Sequence, residues 1–196
     1  MKVSIAIVHF DNLPNVQRII NEVANVDYTD YELILIDNNE HDEIDQIKIP
    51  KQIKQFKFYR NANIGKLAGA TNQAIIMAEG KFFVYLCGTH THINTNDWLH
   101  YMVNRLGTGA IGGTVSPYNV NGRQGMHVQG GCFIANTKII DSMRYDEISF
   151  PFSFMDVDLS MRMIKKGYQL IDMPDIKSVM GHIRDKSIFK IFHSRT

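Results

Sequence analysis

The sequence contains no apolar run long enough to span a membrane, and its polar residues begin too early for a signal peptide. Cysteine is scarce: Cys87 and Cys132 lack CxxC spacing, which favours buried thiols in a reducing compartment over a structural disulfide. Neither sign of charge predominates, because the 196 residues include 21 lysines and arginines and 20 aspartates and glutamates. We therefore expect a cytoplasmic protein with no bulk attraction to nucleic acid. The amphipathic segment 186–192 could contact a membrane peripherally, although such segments more often pack against the rest of the protein at its terminus.

Two common signatures of nucleotide binding are also missing, since neither GxGxxG nor GxxxxGK[ST] occurs. The composition, with 44% hydrophobic and 21% charged residues, is that of an ordinary globular protein. Short apolar runs alternate with helical patterns, which predicts an α/β fold with a doubly wound, mostly parallel sheet and helices on both faces. Because no repeat or linker is present, we expect one domain over residues 1–196, with a nucleotide-binding half at about 1–98 and a catalytic half at about 99–196.

The predicted strands end in polar clusters. Strands are expected at 3–8, 33–36, 56–59 and 82–86. The polar residues that follow them are His9 and Asp11, then Asp37, Asn38 and Asn39, then Asn61 and Asn63, and finally His90 and His92. Ligands of a parallel sheet bind at the carboxyl ends of its strands, so this edge is the predicted site.

Helical patterns complete the expected layout. One buried stripe follows Pro14 and consists of Val16, Ile19, Ile20 and Val23. A helix that begins near Lys66 should end at Gly80 as its C-terminal cap. The second half should contain strands at 110–115 and 128–135, joined by a glycine-rich loop at 119–125. A further helix is expected after Phe154, with an inward face formed by Val157, Met161 and Ile164.

Two of the loops contain groups that suit a nucleotide. Asp37 and the two asparagines after it could hydrogen-bond a base and a ribose, although a helix cap or an Asx-turn explains them about as well. Residues 63–66 open a helix, and their backbone N–H groups together with the Lys66 ammonium could lie near a diphosphate. This second signal is weak when taken alone.

His90 and His92 are the most unusual local feature. If the stretch is extended, both imidazoles lie on one face at a spacing that can chelate a metal. A third ligand could be His182 or the oxygens of a bound diphosphate. Two exposed loop histidines are an equally good interpretation.

Two carboxylates begin the helix after Phe154. The helix dipole and an ion pair with Arg162 explain Asp158 well. They explain Asp156 less well, since a carboxylate at the loop edge beside apolar residues could be partly desolvated and act as a base.

Taken together and in order, these segments resemble the family 2 glycosyltransferases of GT-A fold, most closely the rhamnosyltransferase-like branch that builds bacterial or viral surface glycans. The resemblance covers nearly the whole chain, in the stretches VSIAIVHFDN, ELILIDNNEHD, RNANIGKLAGATNQAIIMAEGKFFVYL, NDWL, HVQGGCFIANTKIID, RYDEISFPFSFMDVDLSMRMIKKGYQLIDMPD and VMGH. No single stretch is decisive, but their shared order argues against a chance match.

The resemblance implies a nucleoside-diphosphate sugar donor of UDP, dTDP or GDP type and a glycan or lipid-linked acceptor, as in polysaccharide biosynthesis. The donor would contact His9, Asp11, Asp37, Asn39, Asn63, Gly65 and Lys66. Asp156 would be the general base of an inverting transfer, with Gly130, Gly131 and Asp158 on the acceptor side. Family members are frequently one domain of a longer chain, so this chain could be such a unit.

The sequence departs from the family pattern at two places. The metal-binding DxD position corresponds to His90-Thr91-His92, and no acidic residue occurs between Lys81 and Asp97. A divalent ion, Mn²⁺ or Mg²⁺ or a softer ion that imidazole prefers, would then be held by His90, His92 and His182. A metal-free enzyme that uses histidinium, or an inactive site that still binds nucleotide, are the other outcomes. The leading Glu of the base motif is also missing, since Met155 precedes Asp156.

An inverting glycosyltransferase is therefore the leading hypothesis. A non-catalytic nucleotide-sugar-binding or glycan-assembly module is the alternative from another class, because the DxD and the leading Glu are lost. A nucleotidyltransferase-like enzyme shares a similar sheet, but the glycine-rich basic loop that this class needs after the first strand is absent.

Overall fold

The computed structural model describes residues 1–10, 12–39, 44–64, 66–89, 91–120 and 122–182. Its strands are β1 (Val3–His9), β2 (Tyr31–Asp37), β3 (Phe56–Arg60), β4 (Phe82–Cys87), β5 (Thr91–Ile93), β6 (Ile111–Val120), β7 (Arg123–Asn136), β8 (Leu170–Asp172) and β9 (Met180–His182). Its helices are α1 (Leu13–Val23), α2 (Lys66–Met77), α3 (Trp98–Leu106), α4 (Thr137–Met143), α5 (Met155–Lys165) and α6 (Ile176–Val179), with a 3₁₀ turn at Ile44–Gln46.

One seven-stranded sheet has the order β3-β2-β1-β4-β7-β6-β8. Strands β1 to β4 are parallel to one another, and β7 runs antiparallel to both of its neighbours. Because β8 pairs parallel with β6, β7 is the one strand of this sheet that runs against the others. The prediction of a doubly wound, mostly parallel sheet is confirmed. Strands β5 and β9 form a separate antiparallel pair.

Helices cover both faces of the sheet. On one face, α1 and α3 bury Val16, Ile19, Trp98 and Met102 against side chains such as Ile5 and Leu33. On the other face, α2, α4 and α5 bury Ala70, Ala74, Ile140, Leu159 and Met163 against side chains such as Ala6 and Ile34. Each fully buried large apolar side chain contributes roughly 1.5–3 kcal/mol of hydrophobic stabilisation. Successive residues of a strand point to opposite faces of the sheet. Because helices cover both faces, these strands consist of continuous apolar runs.

The α1 prediction is confirmed in detail. The four residues of the predicted stripe have no exposed surface. Asn12 caps the helix, since its side chain accepts a hydrogen bond from the Asn15 backbone N–H, and Pro14 lies in the first turn. Both cysteines are buried thiols that are not joined in a disulfide, also as predicted. Among the described residues, no helix is long and apolar enough to cross a lipid bilayer.

The glycine-rich loop predicted at 119–125 is wrong. Strands β6 and β7 form one long hairpin in which Asn119 pairs with Gln124 and Val120 pairs with Arg123. Only positions 121 and 122 separate the strands, and Gly122 has a φ of 77°. An Asn-Gly pair suits a two-residue hairpin turn, because it tolerates positive φ. Residue 121 itself lies outside the described residues.

Two further expectations are corrected. On α5, Met161 and Ile164 are exposed, and the inward face instead consists of Met155, Val157, Leu159, Ser160 and Met163. Met155, Leu159 and Met163 recur every four residues along this face, so the helix is rotated relative to the predicted stripe, of which only Val157 is buried. Helix α2 ends at Met77, and Gly80 is not its cap. Gly80 instead lies against β1, where a Cβ would come within 2.6 Å of the Ser4 backbone nitrogen.

The close approach at Gly80 predicts a large effect of one methyl group. Gly80→Ala should lower the free energy of unfolding by about 1–3 kcal/mol, because the backbone of β1 would have to move. Urea unfolding measures this loss. Gly130→Ala is the matched control for stability, since its Cβ would meet neighbours only at an ordinary 3.4 Å. Equal stability of Gly80→Ala and the wild type would contradict the prediction.

Candidate functional site

The parallel strands bring the predicted polar clusters to one edge of the sheet. In the register, His9 is opposite Asp37, Asp37 is opposite Arg60, and Val8 is opposite Cys87. The last residues of β1, β2, β3 and β4 therefore lie side by side at their carboxyl ends. This is the edge at which a parallel sheet binds ligands.

His9 and Asp37 form a buried pair at this edge. The His9 Nδ1 atom lies 3.0 Å from Asp37 Oδ1, and neither residue has exposed surface. Asp37 Oδ1 also accepts a hydrogen bond from the Asn39 backbone N–H at 3.2 Å. The other polar atoms of the pair, His9 Nε2 and Asp37 Oδ2, have no hydrogen-bond partner in the structure. Buried polar atoms without partners are costly, so these two atoms are candidates for ligand contacts.

Charge at Asp37 is partly balanced by one arginine. Arg60 Nε is 3.9 Å from Asp37 Oδ2, too far for a hydrogen bond but close enough for an ion pair. Asp11, which was expected beside this pair, lies outside the described residues.

An asparagine network shapes the loop between β3 and α2. Asn61 donates to Asn38 Oδ1 and to the Ile64 carbonyl, both at 2.6 Å, and Asn38 donates to Asn63 Oδ1 at 3.3 Å. The loop holds Ala62, Asn63 and Lys66 at positive φ values between 47° and 59°. Such backbone strain occurs mostly where surrounding structure imposes it, often at ligand sites. Gly65, also predicted to contact the donor, lies outside the described residues.

This loop contacts the segment that leads into α5. The Lys66 ammonium lies 5.6 Å from the centre of the Phe152 ring, within cation–π distance. The Ala68 backbone N–H donates to the Pro151 carbonyl. Helix α2 reinforces the contact through Asn72, which donates to the Tyr145 carbonyl and accepts from the Tyr145 N–H at 2.9 and 2.8 Å. The predicted donor loop and the predicted catalytic helix are therefore joined directly.

Asp156 lies in the first turn of α5, directly against β7. Its Oδ2 accepts a hydrogen bond from the Gly130 N–H at 3.0 Å, and its Oδ1 accepts one from the Val157 N–H at 2.9 Å. A Cβ on Gly130 would come 3.4 Å from this carboxylate, so the glycine leaves the carboxylate uncovered on that side. The side chain is 24% exposed and so can still be reached by a substrate. Phe154, just before the helix, has a φ of 61°.

Asp158 has a different environment, in which it forms the ion pair with Arg162 that the sequence predicts. Its Oδ2 binds the guanidinium of Arg162 through two contacts of 2.8 Å. Arg162 in turn donates to the carbonyls of Met143 and Arg144 at the end of α4. Asp158 thus joins α5 to α4. Gly131 lies beside the stretch predicted to bind the metal, since its carbonyl accepts a hydrogen bond from Thr91 Oγ1 at 3.4 Å.

His92 is held by α1. Its Nδ1 atom lies 2.7 Å from Arg18 Nη1 and 3.2 Å from Glu22 Oε1. Arg18 also donates to the Thr91 carbonyl, and Glu22 accepts from the Ile93 N–H. The Nδ1 atom of His92 is therefore already in contact with side chains of α1. The short strand β5 is held against α1 at both of its ends, Thr91 and Ile93.

The strand pairing relates two of the three predicted metal ligands, His92 and His182. His182 is opposite Thr91, and His92 is opposite Gly181. In this register, positions 92 and 182 are therefore not opposite each other. His90 lies outside the described residues, and only the backbone of His182 is described.

The chain can be compared with known protein families. The model of the family described as glycosyl transferase family 2 matches residues 4–169. The chain belongs to glycosyl transferase family 2. No curated protein matches the sequence.

Solved structures share the GT-A fold of this family 2 domain. Mannosyltransferase PcManGT from Pyrobaculum calidifontis, in complex with GDP-Man and Mn²⁺, matches with a TM-score of 0.73 and 14% identity over 89% of this chain and 55% of its own. TarS from S. aureus matches with a TM-score of 0.68 and 18% identity over 89% of this chain and 35% of its own. Its 1–349 form in complex with UDP has a TM-score of 0.66 and 18% identity over 89% and 58%. This chain therefore spans between a third and three fifths of these proteins.

The resemblance places the metal position just after β4, in a stretch whose residue 90 lies outside the described residues. Strand β4 ends at Cys87, so Cys87, Gly88 and Thr89 are the first residues at its carboxyl end, ahead of residues 90–92. Cys87 Sγ is buried and lies 3.1 Å from Thr89 Oγ1. Within the described ranges, no three His, Cys, Asp or Glu side chains form a group that could hold a metal ion.

The structure also reveals residues of this family 2 domain that sequence reasoning missed. His127 Nε2 is 3.6 Å from Asp156 Oδ2, and Ser160 Oγ accepts a hydrogen bond from the Val128 N–H at 3.1 Å. Asn72 joins α2 to Tyr145, and Arg18 holds β5. Ser160 is a polar residue on the buried face of α5, a signal that can be read only once the orientation of the helix is known.

Proposed function

We propose that this family 2 domain is an inverting glycosyltransferase. It moves a sugar from a nucleoside-diphosphate donor to a hydroxyl of a glycan or lipid-linked acceptor, with Asp156 as the general base. One observation carries the proposal: the Asp156 carboxylate is partly exposed at the start of α5, and backbone N–H groups of Gly130 and Val157 fix both of its oxygens. A general base needs this combination of access and fixed geometry.

The donor site is the buried edge at His9 and Asp37. Asp37 Oδ2 is placed to accept an N–H of the base or a hydroxyl of the ribose, and His9 Nε2 can serve as a second polar contact. Lys66 would lie near the diphosphate, because the loop that carries it follows directly from the asparagine network beside Asp37. Asn39 and Asn63 remain in the proposed donor set.

The transfer step is a single displacement. Asp156 takes the proton of the acceptor hydroxyl while the hydroxyl oxygen bonds to the anomeric carbon of the donor sugar. The bond from that carbon to the diphosphate oxygen breaks, and the electron pair leaves with the diphosphate. Attack from the face opposite the diphosphate inverts the anomeric configuration. Positive charge at Lys66 stabilises the leaving group, an electrostatic effect that is usually large.

The proposal includes a divalent metal ion, and the donor titrations with the histidine variant test which residues bind it. PcManGT, a structural neighbour, is described in complex with Mn²⁺. In this chain the ring of His92 is engaged by Arg18 and Glu22, so a site at His90, His92 and His182 would need that contact to rearrange. No step above depends on the metal.

Donor binding tests the proposed function. UDP-GlcNAc, GDP-mannose and dTDP-rhamnose are titrated calorimetrically into the wild type and Asp37→Ala, with Mn²⁺, Mg²⁺, Co²⁺ or no metal. We expect one donor to bind and Asp37→Ala to weaken it at least about tenfold, since a buried hydrogen bond to a charged group contributes roughly 1.5–3 kcal/mol. Asp27→Ala, on the α1–β2 loop, is the control.

A second arm measures release of the nucleoside diphosphate with p-nitrophenyl glycosides as acceptors. Acceptor-dependent release supports the transferase. Binding without acceptor-dependent release would favour the non-catalytic nucleotide-sugar module instead. Metal-dependent binding that is lost in a His90→Ala/His92→Ala double variant would establish histidine ligands, and unchanged binding in that variant would remove them.

A further inference from the structure

His127 is a titratable neighbour of the Asp156 carboxylate that no sequence pattern indicated. It lies on β7, three residues before Gly130, and its side chain is 14% exposed. The distance from His127 Nε2 to Asp156 Oδ2 is 3.6 Å, just beyond a hydrogen bond. Contacts of catalytic groups are often long in a free protein and shorten when substrate binds.

The protonation of the His127 ring follows from its two nitrogens. Nδ1 is buried and has no hydrogen-bond partner. A neutral imidazole carries one N–H, which must be on either Nδ1 or Nε2. A proton on Nδ1 would leave a buried donor unsatisfied and would turn the Nε2 lone pair toward a carboxylate oxygen. A proton on Nε2 points a donor at Asp156, so this tautomer is favoured.

Surrounding contacts hold the imidazole in place. The Tyr118 ring on β6 meets it edge-on, with ring centroids 6.2 Å apart. The next residue, Val128, is tied to α5 by its hydrogen bond to Ser160 Oγ, and Gly130 is tied to α5 through Asp156 itself. Two hydrogen bonds, from the N–H groups of Val128 and Gly130 to side chains of α5, therefore hold β7 against α5 next to the His127–Asp156 contact.

We propose that His127 is a positioning residue that donates from Nε2 to Asp156 and thereby decides which carboxylate oxygen acts as the base. This inference rests on the proposed transferase function. Oδ2 would then have both Gly130 and His127 as donors, whereas Oδ1 has only Val157. A carboxylate oxygen accepts about two hydrogen bonds, so Oδ1 keeps the site that can receive the acceptor proton.

The first test needs no substrate. Long-range ¹H–¹⁵N NMR spectra report the tautomer of each histidine, and His127→Gln assigns the His127 signals by their loss. We expect the Nε2–H tautomer in the wild type at neutral pH, and a changed Nε2 shift in Asp156→Asn. An Nδ1–H tautomer, or Nε2 signals unaffected by Asp156→Asn, would overturn the proposal.

The second test uses the donor and p-nitrophenyl glycoside that give transfer in the wild type. His127→Leu should lower kcat about 10- to 100-fold with the KM for the donor unchanged, because a misplaced base is costly. His127→Gln should restore most of the activity, since its amide can donate near the Nε2 position. His100→Ala, an exposed histidine on α3, is the matched control.

The outcomes separate the two proposals. Wild-type kcat in His127→Leu, or loss in His127→Gln as deep as in His127→Leu, would overturn the positioning role while leaving the transferase intact. Absence of transfer in the wild type would reject the transferase, and the NMR test would still decide whether His127 donates to Asp156. Melting temperatures of both variants near that of the wild type ensure that the kinetics report on folded protein.

Discussion

Asp156→Asn should lower kcat for sugar transfer by about 100- to 10,000-fold while leaving donor binding intact, because a general base contributes acceleration of that order. The amide is nearly isosteric with the carboxylate and can keep one of the two backbone hydrogen bonds, so the start of α5 should remain folded. Steady-state release of nucleoside diphosphate gives kcat, and calorimetry with the bound donor gives the affinity.

Another acid on the same side of the sheet provides the control. Asp141→Asn removes a carboxylate on α4 whose partner is the exposed Arg144, with no contact to Asp156. We expect this variant to transfer at the wild-type rate. If Asp156→Asn also turned over normally, Asp156 would lose its role as the base. If it lost donor affinity as well, its function would lie in binding rather than in proton transfer.

Glu32→Gln should lower the free energy of unfolding by about 3 kcal/mol, the largest effect we expect on stability. Glu32 is buried in β2 at the end of the sheet opposite the site. Its Oε1 accepts from Ser4 Oγ at 2.6 Å and from the Glu79 N–H at 2.8 Å, and its Oε2 lies 2.9 Å from Lys57 Nζ. An amide at Oε2 would place N–H donors against the lysine ammonium and leave it only its exposed carboxylate partner, Glu79.

The same cluster predicts how stability changes with pH. Burial raises the pKa of Glu32, but the hydrogen bonds from Ser4, Lys57 and the Glu79 backbone outweigh it and bring the pKa below its ordinary value. A carboxyl whose pKa is lower in the folded protein stabilises the fold above its unfolded pKa, near 4.3 for Glu. That contribution is lost as the pH falls below this value. Urea unfolding at pH 7, 5, 4 and 3 should show a steeper loss in the wild type than in Glu32→Gln.

Glu79 is the exposed acid of this cluster and serves as the comparison. Hydrogen bonds from Lys57 and Lys2 bring its pKa to about 2, but its side chain is 63% exposed. Solvent and salt screen such a pair, so Glu79→Gln should reduce stability much less than Glu32→Gln. Equal losses in the two variants would show that burial of Glu32 is not what makes its interactions strong.

Local patterns in the sequence determined much of the fold. The continuous apolar runs of β1, β2 and β4 need two covered faces, and the stripe on α1 needs one, so the layered arrangement follows from hydrophobic burial alone. Chain direction then brings the polar ends of these strands to one edge. This is why His9 and Asp37 could be assigned to one site, and why Asp156 stood out as an acid without a sufficient local explanation.

Tertiary structure decided what depends on contacts between distant segments. Whether His92 turns toward a metal or toward Arg18 and Glu22 depends on how α1 lies against β5, which no spacing within residues 90–92 can reveal. Met161 was placed on the wrong face of α5 for the same reason, because the rotation of this helix is set by its packing on β7 and α4. His127 reaches Asp156 only because a long hairpin, with its turn at Gly122, runs back along α5. Local sequence patterns determine which residues are buried. The partners of a polar side chain depend instead on how elements far apart in the sequence pack together.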